Sequence, residues 1–213
     1  HCISSLGTGG AERTLVRLVN NSKNNHFIIT ILCRLDLKKF LADDIKVYSI
    51  FPPKFKRLKE LHNLISKFQP NCFQGWMYHG DFIASLLSIA YRTPCIWNIR
   101  HGTMSLKYSS KFTLILRSLL SILSYFIPRK IISCSYSGEK IHSRIGYCKK
   151  KFFVIHNGFD FSRNIKRKIN KIDKNYPLRV ISVGRESPQK NRRYFLNIIS
   201  ELSKIRNIKP IIV

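Results

Sequence analysis

The sequence predicts a doubly wound parallel α/β fold. Short apolar, β-branched segments alternate with segments of helical spacing over all 213 residues. Connections between them are short, and Gly, Pro and Asn mark the points where one pattern gives way to the other. Residues 1–5 read as the tail of a strand. Gly9 and Gly10 then turn the chain into a helix over 11–20, with Leu15, Leu18 and Val19 on one face. Residues 26–33 and 45–51 are apolar, β-branched strands, the second stopped by Pro52 and Pro53. Phe55–Phe68 carries Leu58, Leu61, Leu64, Ile65 and Phe68 at helical spacing and ends before Pro70. A strand over 72–78, a helix over 82–91 and a strand over 95–99 follow.

Residues 112–127 form the most apolar helix, closed by Pro128. It is shorter than the roughly 20 residues that cross a bilayer, and it carries Arg117. It is therefore read as a sheet-packing helix, with contact at a membrane surface as the alternative. A strand over 130–134, a helix over 138–145 and a strand over 152–155 complete a first domain of residues 1–162. The polar, basic stretch 163–176 is the expected linker. A strand over 178–183, a helix over 192–205 and a strand from 209 open a second domain, 177–213. Both ends of the chain fall inside apolar segments, so a fragment is expected; no signal or transit peptide is visible.

The charge balance is lopsided: 38 Lys and Arg against 11 Asp and Glu, a formal charge of +27. Such an excess implies an anionic partner, whether nucleic acid, an anionic membrane or a phosphorylated substrate, unless it is simply solvated surface. The 6 cysteines include no Cys-x-x-Cys pair, which argues against a zinc or thioredoxin-like site. Cys2, Cys33, Cys72, Cys95 and Cys134 fall in segments read as strands. Buried thiols in a reducing, cytoplasmic interior explain them better than a disulfide framework.

Five motifs carry chemistry. Gly9 and Gly10, followed by Glu12, lie between a strand and a helix, where bare backbone N–H groups suit an anion. The spacing lacks the third glycine of a dinucleotide fingerprint, so a nicotinamide enzyme is not favoured. Trp76, Met77, Tyr78, His79, Gly80 and Asp81 sit where a strand hands over to a helix, the ligand-binding end of an open α/β sheet. A His and an Asp there can bind hydroxyls or move protons, although Asp81 equally suits a helix N-cap. Arg100, His101 and Gly102 follow the next strand and face the same crevice. His156, Asn157, Gly158, Phe159 and Asp160 form a turn after the last strand of the first domain. Finally, Val183, Gly184, Arg185 and Lys190 lie on the first strand-to-helix loop of the second domain, where an Arg and a Lys suit a diphosphate.

Taken together these motifs resemble glycosyltransferase family 4. The Gly-Gly-Ala-Glu run with Arg13, the Asn-Gly-x-Asp at Asn157–Asp160, and the Val-Gly-Arg opening with Lys190 and Asn191 occur in the family's order and spacing. The stretches 76–79 and 96–102 look like the branch that builds bacterial surface polysaccharides. The resemblance implies a two-domain GT-B fold: a Rossmann-like N-terminal domain and the start of a second Rossmann-like domain. It implies retaining, metal-independent transfer of a hexosyl-type sugar from a nucleotide sugar to a lipid-linked or polysaccharide acceptor in cell-envelope glycan synthesis. Gly9, Gly10, Arg185 and Lys190 would contact the donor, and His79 would be catalytic. Glu12, Tyr78, Arg100 and His101 would contact the acceptor, a polyprenyl-diphosphate-linked or other glycan. Asn157, Gly158 and Asp160 would line the hinge and cleft. No cofactor or metal site is expected, and no Asp-x-Asp motif is present. The expected place is cytoplasmic, peripheral on the anionic inner face of the plasma membrane. The family's glutamate pair does not occur here, so the fragment is expected to be inactive alone.

Two other readings compete. A basic nucleic-acid-binding protein would use the charge, but no helix-turn-helix, zinc or aromatic RNP signature supports it, so nucleic acid is not expected as a partner. A non-catalytic transferase remnant is the other.

Overall fold

The computed structural model describes residues 1–100, 110–158, 177–184 and 190–213. The chain divides into two compact units, His1–Phe159 and Asp160–Val213. The expected linker, 163–176, lies outside the described residues, as do His101, Gly102, Phe159, Asp160 and Arg185.

In the first unit strands and α-helices alternate, except that a short 3-10 turn, Lys38–Phe40, joins the second strand to the third. They are β1 (Cys2–Ile3), α1 (Gly10–Asn20), β2 (Phe27–Thr30), β3 (Lys46–Ser49), α2 (Phe55–Phe68), β4 (Phe73–Trp76) and α3 (Met77–Tyr91). Next come β5 (Cys95–Ile99), α4 (Lys111–Leu123), β6 (Lys130–Ser133), α5 (Tyr136–Arg144) and β7 (Phe152–Val154). The seven strands form one parallel sheet in the order β3-β2-β1-β4-β5-β6-β7. This is the doubly wound α/β fold that the sequence predicts. A parallel sheet buries both faces, and successive side chains take opposite ones. Cys2, Phe27 and Ile29 accordingly join one core with Leu61, Ile65 and Trp97. Their neighbours Ile3 and Ile28 join the other with Leu15, Val19 and Trp76.

Local chemistry fixes the helix ends. The side chains of Ser110 and Ser135 cap α4 and α5 by accepting from the backbone N–H of Thr113 at 3.2 Å and Gly138 at 3.0 Å. Gln69 closes α2 in the left-handed conformation just before Pro70.

Several sequence expectations need correction. Helix α3 starts at Met77, five residues before the expected Phe82, because β4 passes straight into it without a turn. Asp81 is therefore no N-cap: it lies inside α3, and the cap position is Trp76. Cys33, Cys72 and Cys134 lie just outside strands rather than within them, and all 6 cysteines are free. Tyr78 is a core residue, 3% exposed, with its hydroxyl 2.7 Å from His142 Nε2. His142 Nδ1 lies 2.7 Å from the Gly138 carbonyl, so Nδ1 donates there and Nε2 accepts from Tyr78. A side chain so enclosed offers no surface to an acceptor, contrary to the expectation for Tyr78.

Asp81 is fully buried beneath the crevice end of the sheet. Its Oδ1 accepts from the Asn98 backbone at 3.1 Å, and Oδ2 has no partner. Burial raises its pKa well above the usual carboxylate value, against a smaller lowering by the Asn98 N–H. The folded state thus keeps a proton that the unfolded chain releases. This group's contribution is complete below the unfolded value and is lost as pH rises through the folded one. Asp81→Asn keeps the oxygen that Asn98 needs and removes the titration. In urea melts across pH, the wild-type chain should lose up to about 1.4 kcal/mol per pH unit from this proton, and the variant should lack that slope. Parallel pH profiles for the two proteins would contradict the assignment.

The second unit contains β8 (Leu178–Ser182), α6 (Arg192–Ser203) and β9 (Ile208–Ile212). The two strands pair in parallel around the helix connection, a single β-α-β step.

Candidate functional site

Chain direction across the sheet reverses between β1 and β4: successive strands step outward to β2 and β3 on one side and to β5, β6 and β7 on the other. In open α/β sheets the carboxyl ends of two such neighbours are where ligands bind. The residues on the loops that follow β1, β4, β5, β6 and β7 make up the candidate site.

After β1, Gly9 caps α1 in an extended conformation (φ −74°, ψ 172°) without a side-chain bond. The Glu12 side chain folds back beside it, filling the space a Cβ on Gly9 would need. An acid in the first turn favours the helix N-terminus. It also means that a phosphate approaching Gly9 and Gly10 must displace a carboxylate. Gly10 has open space around it.

After β4, α3 begins at once. Gly80 presses against the β1 backbone and Gly75 against that of Asp81, so the start of α3 lies tight on the sheet. His79 is half-buried between these fixed points and stacks on Phe112 of α4, with ring centroids 6.0 Å apart and planes 24° apart. Burial lowers its pKa, so the imidazole is neutral at neutral pH and able to accept or donate a hydrogen bond.

After β5, the Arg100 guanidinium lies over the Trp76 ring, 4.8 Å from its centroid. Its Nη1 donates to the Asn157 side-chain oxygen beyond β7. Burial lowers the Arg100 pKa. His156 Nδ1 lies 3.1 Å from the Cys134 carbonyl oxygen, and Arg17 of α1 reaches the Gly158 carbonyl at 3.5 Å. The turn after β7 is thus tied over the strand ends from two directions.

Of the residues singled out from the sequence, the structure joins Arg100 to Asn157 directly and sets the Gly9 loop and His79 just beyond two adjacent strands, β1 and β4. Sequence reasoning missed Arg17, Phe112 and Cys134. A solvent-facing helical Arg and a helix-start Phe give no local signal of a site. In the second unit, the aliphatic stem of Lys190 packs on Gly184, and Arg192 donates to the Gly184 carbonyl at 3.3 Å. Two cations at the start of α6 thus reach back to Gly184, just past the end of the strand. A separate concavity runs along α5, lined by Tyr136, Glu139, Lys140, Ser143, Arg144 and Lys149. It gathers none of the residues above. Among the described residues, no group of three His, Cys, Asp or Glu side chains is placed to hold a metal ion.

Solved structures share this architecture. Anabaena HepE, in complex with UDP and glucose, superposes with a TM-score of 0.71 at 16% identity, over 100% of this chain and 60% of its own. HepE in complex with UDP-glucose gives the same 0.71 and 16%. The lipopolysaccharide outer core galactosyltransferase WaaB, in its apo form, gives 0.57 at 14% identity over 87% of this chain and 52% of its own. The chain therefore spans about 60% or less of the length of these structures, and the likeness establishes the GT-B fold. No curated protein sequence matches the chain. The family model for Glycosyltransferase Family 4 matches residues 8–163, roughly three quarters of the chain, and by that match the chain belongs to glycosyltransferase family 4.

Proposed function

We propose that this chain is the acceptor-side domain, with the first step of the donor-side domain, of an enzyme that transfers a hexosyl-type sugar from a nucleotide sugar. The acceptor is a lipid-linked or polysaccharide glycan of the cell envelope, and the transfer proceeds with retention. The observation that supports this reading is the reversal of strand order between β1 and β4, with the Gly9–Gly10 loop following one of these strands and His79, at the start of α3, following the other. A donor of the UDP-sugar class agrees with the ligands of HepE, and an envelope glycan with the name of WaaB.

The proposed division of labour follows from chemistry. As the sugar–oxygen bond breaks, negative charge grows on the leaving diphosphate. Fixed cations and backbone N–H groups stabilise such charge without reorganising. Lys190, held on Gly184, and Arg185, which lies outside the described residues, are the cations for that task. The backbone N–H groups at Gly9 and Gly10 are proposed as further donor contacts, available once Glu12 swings aside. His79, neutral and fixed by Phe112 and by the tight seat of α3, would hydrogen-bond the transferred sugar or the incoming hydroxyl. Glu12, Arg100 and His101 remain the acceptor contacts, and Asn157, Gly158 and Asp160 the hinge. No metal is assigned a role, and the domain works at the cytoplasmic face of an anionic membrane.

The test uses the two-domain enzyme that carries this chain. His79→Ala should lower kcat by about 100-fold or more with an unchanged melting temperature. Lys190→Ala should weaken nucleoside diphosphate binding by about tenfold. Transfer should survive chelation of divalent cations. A His79→Ala enzyme of wild-type kcat would remove His79 from the mechanism, and unchanged UDP affinity in Lys190→Ala would remove the phosphate role.

A further inference from the structure

Arg100 is a cation fixed in place with half of its hydrogen-bonding edge unused. The Trp76 face holds its guanidinium plane, and Asn157 takes Nη1. Its Nε is buried without any partner, and no hydrogen bond leaves Nη2 among the described residues. Nε and Nη2 together form the side-on edge of a guanidinium, the edge that grips two oxygens of one oxyanion. A buried charge is ordinarily paired. Arg100 is half-buried, and among the described residues no carboxylate accompanies it at the carboxyl end of β5, beside the strand whose last residue is Trp76, in a chain with 38 basic and 11 acidic residues.

We infer that the Nε–Nη2 edge of Arg100 is a phosphoryl-binding site of the acceptor. The inference rests on the transferase reading and narrows it: the acceptor carries a phosphate or diphosphate ester rather than being a neutral glycan. Trp76 and Asn157 act together as the mount. The ring limits tilting of the guanidinium, and the amide fixes its rotation, so the unused edge keeps one orientation before ligand arrives. A carboxylate would fit the same fork, but it brings less charge and lacks the further oxygens that a phosphoryl group offers to neighbouring donors. Lysine, a point charge without a fork, would not replace Arg100.

The experiment uses the chain itself, labelled with 15N in arginine, and methyl phosphate as probe. The Arg100 Nε–Hε signal, identified by its loss in Arg100→Lys, should shift saturably on titration in the wild-type protein, which requires no variant to bind. Arg100→Lys should weaken methyl phosphate binding by about tenfold or more at an unchanged melting temperature. Asn157→Ala should weaken it less, since it loosens the mount without removing the fork. Lys140→Ala/Arg144→Ala on α5 should leave it alone, which separates the site from general attraction to a +27 chain. An unmoved Nε–Hε signal would overturn the proposal, as would equal affinity for methyl phosphate in Arg100→Lys. Acetate binding as tightly as methyl phosphate would overturn the choice of phosphoryl ligand. UDP in place of methyl phosphate tests the donor as source: preference for UDP through this edge would assign the site to the donor and overturn its place in the acceptor. Since no transfer is measured, failure of the glycosyltransferase assay leaves this result readable.

Discussion

Replacing Gly80 by alanine should destabilise the first unit by about 3 kcal/mol or more, one of the largest effects a single methyl group can have here. A Cβ at this position would overlap the carbonyl oxygen of Cys2 and crowd the Cα of Ile3. Both atoms belong to the backbone of β1, whose two residues are 1% and 2% exposed and paired on both sides, to β2 and to β4. Neither can swing away as the end of a side chain would. The start of α3 must lift off the sheet instead, and the Asp81–Asn98 bond and the Trp97–Ser85 bond at 3.0 Å lie directly behind it. Gly10→Ala is the matched control. It sits at the first helical position with nothing within 4 Å of the added methyl, so it should be neutral or stabilise by up to about 1 kcal/mol. Urea unfolding of the two variants, with equal m-values, reads the difference. A Gly80→Ala protein as stable as Gly10→Ala would show that α3 does not sit this close to β1. Because His79 is the adjacent residue, the same lift should also move its ring off Phe112.

That close approach could not be read from the chain, and the reason separates the legible from the illegible here. Phe55–Phe68 and Cys95–Ile99 form the elements expected of them over the same residues. Their patterns are long or β-branched, and proline punctuates their ends. The β4–α3 junction was misjudged because its apolar run through Tyr78 has the character of a strand, while contacts with β1 and β5 start the helix at Met77, which accepts a φ of 64°. Sequence pattern records which residues are apolar, not where the backbone turns between two equally buried conformations. Tyr78 was misjudged for a related reason: an aromatic hydroxyl beside His79 suits a ligand as well as it suits a buried histidine, and His142 lies 64 residues away. The pairing of Arg100 with Asn157 spans 57 residues. Each stands alone in the sequence, after its own strand, and only the order of strands in the sheet brings them together.

The second large effect concerns α4. Its inner face buries Leu116 and Leu120 on the sheet, as a sheet-packing helix should. Its outer face is equally apolar. Phe112, Ile115, Leu119, Ile122 and, just past the helix, Phe126 recur at alternating three- and four-residue steps. They are 65%, 68%, 42%, 63% and 78% exposed. Lys111 begins this stripe, and Lys149, Lys150 and Lys151 close its other end, where Lys151 donates to the Tyr125 carbonyl at 2.7 Å. No described helix is long and apolar enough to cross a membrane. An apolar stripe flanked by cations is the pattern of a helix that lies in a membrane interface. A second copy of a +27 chain would bring like charges together at the same rim, which favours an anionic lipid surface as the occupant. Sinking Ile115 and Ile122 out of water contributes about 1–2 kcal/mol each, and each Lys near an anionic surface about 1 kcal/mol. Ile115→Ser/Ile122→Ser, changed at exposed positions, should therefore reduce partitioning onto phosphatidylglycerol-containing vesicles by about 30-fold or more while leaving the melting temperature in place. Lys149→Ala/Lys150→Ala should reduce it about tenfold or more and flatten its dependence on salt. Phosphatidylcholine vesicles that bind the wild-type chain equally well would exclude the electrostatic half of the argument. A protein that sediments as a dimer, and becomes a monomer in the double-serine variant, would assign the stripe to a second copy instead. Because Phe112 both opens the stripe and stacks on His79, insertion of this face would bring the His79 end of the crevice to the bilayer surface, where a lipid-linked acceptor presents its head group.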